Sequence, residues 1–321
     1  MIVNLGELNY SDVKLAADAR SLTAQYNGLI TTEIIGHSHD NRDIHMVKLG
    51  YGKKHIICTA GVHGRESTNP IVLMYLIEYY AKLYRNYPLV KEYLTKHLNN
   101  AGRDMKSDYE HMIFSECVYE LLNTFTILFI PLLNPDGYMM ALHGFDIIKD
   151  DFLRSKCQSL QIPSEEWKFN ARGIDINRNF PSLLWKANDT NDFPASENET
   201  KALINVFHKF TSQGFLDFHS RGKSIYYYRN VMSEDYNVLQ LQIARRLKKV
   251  TGYGLYMPEE EINANDSGGN TVHYYSERFR KPAITIETVN EDETFPLKDE
   301  LRFLVFEEIK LVIFEFGSMV I

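Results

Sequence analysis

The run TFTILFIPLL at 124–133 constrains this chain more than any other segment. It carries no charge, is rich in β-branched and aromatic side chains, and is far too short to span a bilayer. Such a run is satisfied as a strand buried on both faces, which places it inside a sheet covered by helices. The neighbouring sequence supplies both partners. Between about residues 32 and 60, TEIIGHS, DIHMVKLG and HIICTAG read as three strands separated by Gly, Asn or Asp. GFLDFH (214–219) and AITIET (283–288) read as two more, the latter preceded by Pro282. Helical patterns run from Ser67 to Leu83, Glu197 to Phe210, Asp235 to Thr251 and Leu301 to Phe314. The last carries Leu301, Leu304, Val305, Ile309, Val312 and Ile313 on one stripe. Asn134-Pro135-Asp136-Gly137 is a turn signal, and the polar stretch 143–172, punctuated by Pro163, reads as an excursion.

Strands alternating with helices, without a repeat or a low-complexity linker, predict an α/β fold: one domain over 1–321 with a central mixed, largely buried β-sheet flanked by helices. Composition agrees. With 44% apolar and 24% charged residues the chain is neither disordered nor fibrous, and a formal charge of −7 argues against a nucleic-acid or anionic-lipid partner. The three cysteines, Cys58, Cys117 and Cys157, have no metal-binding spacing and read as reduced packing residues. The first residues lack a basic and apolar leader pattern, so the expectation is a soluble protein without a membrane span, cytoplasmic as the chain stands and exported if a signal was removed.

Chemistry concentrates at strand ends, where open α/β sheets place their sites. HIICTA leads into Gly61-Val62-His63-Gly64-Arg65-Glu66, in which His63 and Glu66 are three residues apart and flanking glycines permit close backbone approach. Imidazole plus carboxylate is half of a zinc set, although a surface His beside a helix-starting Glu reads as well. His219 ends GFLDFH, and Glu287 interrupts an otherwise burial-ready strand, with Ile284 and Ile286 on one face and Thr285 and Glu287 on the other. Alone, each has a structural reading: a hydrogen-bonded packing His and a salt-bridged Glu. Asp217 shares a strand face with His219. Asn177-Arg178 offers amide and guanidinium donors suited to a carboxylate, or a turn with a surface arginine.

Taken together, HGRE (63–66), NPDGY (134–138), GIDINRNFP (173–181), HSRG (219–222), SGG (267–269) and TIET (285–288) resemble, in order, the carboxypeptidase A-like zinc carboxypeptidase family. WKFNARGIDINRNFP, SENETKAL and HSRGKSIYYY look most like its bacterial γ-D-glutamyl-L-diamino acid peptidases, which cut cell-wall stem peptides. The resemblance implies one Zn2+ held by His63, Glu66 and His219, with Glu287 as general base and Asp175 orienting His63. It implies that Arg178 and Asn177 hold a terminal carboxylate, that Arg172 polarises the scissile carbonyl, and that Thr271 lies at the base of the specificity pocket. Ala264 stands where the family has a capping tyrosine. The implied partner is a peptide or muropeptide with a free C-terminal carboxylate. Two rivals are an N-acyl amino acid amidohydrolase and a non-catalytic muropeptide-binding module. Of the 11 histidines, His63 and His219 are thus given metal-binding roles, and the others read as structural or solvated.

Overall fold

A computed structural model of the protein describes residues 1–97, 106–187, 192–261 and 268–321. Along the chain run α1 (Asp12–Gln25), β1 (Ile30–His37), β2 (Asp43–Leu49), β3 (Lys54–Ala60), α2 (Thr68–His97), α3 (Lys106–Thr124), β4 (Phe125–Ile130), α4 (Pro135–His143) and α5 (Asp151–Ser159). Then follow α6 (Asn198–Lys209), β5 (Ser212–Ser220), β6 (Ser224–Tyr226), α7 (Glu234–Thr251), β7 (Gly254–Leu255), α8 (Pro258–Glu261), α9 (Thr271–Phe279), β8 (Ala283–Thr288), α10 (Leu301–Ile309) and α11 (Val312–Met319). The strands form one mixed sheet in the order β1-β2-β4-β3-β5-β8-β6-β7. Its centre, β4-β3-β5-β8, is parallel, while β1, β2 and β6 join antiparallel at the flanks.

The apolar run lies in this parallel centre, and strand alternation divides its side chains between two cores. Phe125, Ile127 and Phe129 pack on one side with Ile56, Cys58, Leu216, Phe218, Ile284 and Ile286, under α2, α7, α10 and α11. Leu128 and Ile130 pack on the other with Ile57, Phe215 and Ala283, under α6 and α9. Each Å² of apolar surface so buried contributes about 25 cal/mol, and the centre buries it on both faces.

Three local readings differ from the structure. Asn134-Pro135 opens a helix: the Asn134 side chain caps α4 by accepting from Gly137 N at 2.9 Å, with Pro135 at the first helical position. The expected C-terminal helix is two, α10 and α11, and Leu304 points to solvent, 46% exposed, while Val305, Ile309, Val312 and Ile313 are buried. Residues 143–172 contain α5 and a small core of their own, in which Ile148, Cys157, Trp167 and Ala171 pack with Met140. Among the described residues no helix is long and apolar enough to cross a membrane.

Candidate metal centre and catalytic site

The site grows out of one face of the parallel strands. At their N-terminal ends that face is apolar, with Ile57, Phe215 and Ala283. Towards the C-terminal ends the same face turns polar: Thr59 pairs in register with Asp217 and Asp217 with Thr285, and one step further His219 pairs with Glu287. Thr59 and Asp217 are fully buried, so each needs a partner. The Thr59 hydroxyl donates to Asp217 Oδ1 and the Thr271 hydroxyl, from the first turn of α9, donates to Oδ2. Asp217 Oδ2 in turn faces His219 Nε2 at 3.1 Å.

His63 follows β3 and is held in the same manner, with Nε2 at 3.2 Å from Asp175 Oδ1. Both imidazoles therefore present Nδ1 to one carboxylate: His63 Nδ1 lies 2.6 Å from Glu66 Oε1 and His219 Nδ1 lies 3.1 Å from Glu66 Oε2. Ligand atoms from His63, Glu66 and His219 all lie within 4.8 Å of one another. Gly64 makes the approach possible, because a Cβ there would stand 2.3 Å from Gly137 O. Two imidazole nitrogens and a carboxylate, each ring fixed from behind by an aspartate, suit zinc. Glu287 Oε2 is buried without a hydrogen-bond partner, an unclaimed acceptor beside the same group. The residues present thus fit the ion.

Without metal, the electrostatics balance through protons. Burial disfavours charge on the rings, but the Glu66 and Asp175 carboxylates outweigh it and push His63 up to about 9; Asp217 and Glu66 likewise hold His219 well above its ordinary value. Despite burial, the two imidazoles bring Glu66 down to about 2, and His63 with Lys168 keeps Asp175 well below the usual carboxylate range. Burial, with the Glu66 charge, pushes Glu287 up to about 8. At neutral pH two imidazolium protons thus occupy the place a dication would take. Zinc must displace them, and its charge also favours the ionised form of Glu287, so binding at pH 7 is expected to release about two to three protons and to weaken as pH falls below about 9. Calorimetry in buffers of different ionisation enthalpy checks this, and pH-independent affinity would contradict it.

The remaining candidates are distributed unevenly. Asn177 and Arg178 sit in a single 3-10 turn started by Asp175, whose Oδ1 accepts from Asn177 N at 2.9 Å. Arg178 lines a small cleft with Asp175, Trp185 and Phe193, and Asn177 Oδ1 accepts from Thr271 N at 3.2 Å. Thr271 is fully buried and its hydroxyl is spent on Asp217, so it supports His219 and leaves no polar group for a pocket. Arg172 turns away: its guanidinium donates to Glu197 Oε1 at 3.1 Å, drawn by a carboxylate with no solvent exposure. Lys168 does reach the group, its Nζ lying 2.7 Å from Asp175 Oδ2. Ala264 lies outside the described residues. Lys168 was missed by sequence reasoning, although the run WKFNARGID places it seven residues before Asp175. For Asp217, on the strand face of His219, the sequence left open support of that ring or an exposed, ion-paired acid.

His39, Glu197 and Glu199 form a second tight His and carboxylate group. Here Glu197 is saturated: Oε1 accepts from Arg172 and Ser196 and Oε2 from Asn170, with His39 Nε2 at 3.0 Å. Four partners and a resident guanidinium already serve the carboxylate, so this group is a hydrogen-bonded brace. Asn170 passes the order on, its side-chain oxygen accepting from Arg172 N and Ile174 N and so shaping the loop that carries Lys168 and Asp175.

An α/β sheet with two imidazoles and a carboxylate gathered at the ends of parallel strands defines a metallohydrolase of the peptidase type. The chain belongs to the zinc carboxypeptidase family, Peptidase_M14, whose model matches residues 15–98 and 109–307. It is 23% identical over 92% of its length to γ-D-glutamyl-L-diamino acid endopeptidase 1 of Lysinibacillus sphaericus, covering 69% of that enzyme. It is 25% identical over 70% of its length to mouse carboxypeptidase A6, of which it spans 47%. The fold matches bovine thrombin-activatable fibrinolysis inhibitor with a TM-score of 0.69 at 17% identity, covering 98% of each chain.

Proposed function

We propose that this chain is a zinc-dependent peptidase that hydrolyses an amide bond near a free C-terminus, in stem peptides of the γ-D-glutamyl-diaminopimelate type. The observation that carries the peptidase reading is the conjunction at one strand-end site of a His63-Glu66-His219 set with Glu287 in register beside His219. Zinc supplies a Lewis acid and makes water a nucleophile at neutral pH. The chain supplies the proton traffic: Glu287, with an unpartnered oxygen, takes a proton from the attacking water and returns it to the departing amine. Lys168 takes the role that the family resemblance gives to Arg172, placing an ammonium where the carbonyl oxygen gains charge. Arg178 and Asn177 hold the terminal carboxylate and set the distance of the scissile bond from the metal.

The cell-wall substrate rests on similarity to the Lysinibacillus enzyme named for that bond, and on the motif stretches shared with that branch. An N-acyl amino acid presents the same terminal carboxylate to Asn177 and Arg178, so the substrate panel rather than the clamp separates the amidohydrolase, whereas a binding module would not need Glu287. Incubation of the zinc-loaded protein with defined muropeptides and with N-acyl amino acids, followed by mass spectrometry, tests the assignment. Cleavage between D-glutamate and diaminopimelate is expected. Deacylation alone would overturn it in favour of the amidohydrolase.

A further inference from the structure

The change from apolar to polar at the strand ends is not confined to the face that carries the ligands. On the face covered by α2, Phe218 and Ile286 belong to the apolar core, and two residues further along β5 and β8 stand Ser220 and Thr288, paired in register. Both are buried, and so is Asn69 in the first turn of α2. A buried amide and two buried hydroxyls each need partners. They find them in one another. Asn69 Nδ2 donates to Ser220 Oγ at 3.2 Å, the Ser220 and Thr288 hydroxyls lie 2.9 Å apart, and Thr288 Oγ1 donates to Asn69 Oδ1 at 2.9 Å. With Ser220 donating to Thr288, each hydroxyl gives one hydrogen bond and takes one, and the circle closes.

This ring reaches the metal ligands through a single peptide unit. Asn69 Nδ2 also donates to His219 O at 2.8 Å, and Thr288 Oγ1 lies 3.1 Å from the same oxygen. The N–H of that peptide unit, Ser220 N, donates to Glu66 Oε2 at 3.0 Å. Because a peptide unit is planar, a grip on its carbonyl also sets the direction of its N–H. Asn69 stands three residues after Glu66, so the circuit runs from the Glu66 carboxylate through the His219-Ser220 peptide and Asn69 back to the Glu66 backbone. Among the described residues the other groups on that carboxylate are the ligand nitrogens themselves, His63 Nδ1 and His219 Nδ1. A backbone N–H cannot be a ligand, so Ser220 N is the donor that can hold Glu66 with or without the ion. We infer that Asn69 is a positioning residue for the metal centre: with Ser220 and Thr288 it holds the His219-Ser220 peptide so that Glu66 is presented in one orientation, and it thereby sets the affinity for zinc.

The inference rests on the reading of His63, Glu66 and His219 as ligands, so His63→Ala is measured beside the ring variants. Zinc affinity is read by competition with a chromophoric chelator, the disposition of the ligands by the visible absorption of the cobalt-substituted protein, and the fold by the melting temperature of the metal-free protein. Asn69→Leu, close in volume and without a polar atom, is expected to weaken zinc binding about 10–100-fold, the usual cost of removing a group that orients a ligand, and to shift the cobalt bands. Thr288→Val should weaken it less, since Asn69 keeps its bond to His219 O, and Thr288→Ser should restore it. A merely structural ring would lower the melting temperature of its variants and leave zinc affinity and the cobalt spectrum unchanged, and that result overturns the inference. If Asn69→Leu does not fold, Thr288→Val against Thr288→Ser decides, and equal affinities overturn it. Native zinc binding in His63→Ala overturns the ligand reading and the inference with it. Loss of zinc there beside native affinity in Asn69→Leu overturns the inference alone.

Discussion

Glu287→Gln is expected to keep its zinc and lose peptide hydrolysis by about 10²–10⁴-fold. The substitution preserves shape and leaves His63, Glu66 and His219 untouched. The backbone of residue 287 is held in register with His219 on one side and Ser224 on the other, so the side chain stays where it is. What disappears is an oxygen able to take a proton: the glutamate is the buried acceptor with no protein partner, and an amide cannot replace it as a base. A loss of that size corresponds to about 3–5 kcal/mol of barrier. Zinc content by elemental analysis, measured on the sample used for kinetics, separates the base from a ligand. Full zinc together with near-native turnover would remove Glu287 from the mechanism.

The second large effect concerns which cation meets the oxyanion. Lys168→Met is expected to lower kcat by about 10²–10³-fold, the cost of losing one well-placed donor, with a smaller change in KM. Lys168→Arg should recover much of it. Arg172→Met should do less, because its guanidinium is already committed to Glu197 and lies in the brace with Asn170 and His39. The kcat and KM split and the rescue by arginine distinguish contact with the reacting carbonyl from mere support of Asp175. A collapse in Arg172→Met beside a mild Lys168→Met would return the role to Arg172.

These two residues also show how far the sequence reaches. The parallel centre of the sheet was legible because its strands bury both faces and therefore lose their polar alternation, as at 124–133. His63, Glu66, His219 and Glu287 stood out because they lie in or just beyond the C-terminal ends of such strands; each had a structural reading alone, and only their joint order pointed to a metal site. Lys168 and Arg172 share one loop and one charge, and nothing in their order tells which way each points. That is decided by Glu197 and Asp175, carboxylates that reach them only after folding. Thr271 shows the same limit. Its position at the start of α9 was not read in 271–279, and only the helix brings its hydroxyl to Asp217. Likewise α1 went unread, since it buries Leu15, Asp18, Ala19 and Leu22 on a weakly apolar face and relies on the Ser11 cap.

The change from apolar to polar along one face of β3, β5 and β8 separates side chains held by the core from side chains held by loops. Asp217, Thr59, His219 and Glu287 are rooted in strands that the core already fixes. Arg65, Arg221, Phe295 and the 143–172 excursion stand on the loops around them. Substitution at Arg221 or Phe295 therefore perturbs a loop and leaves the strand-borne group in place, whereas the 143–172 segment reaches the site through Lys168 and its pair with Asp175.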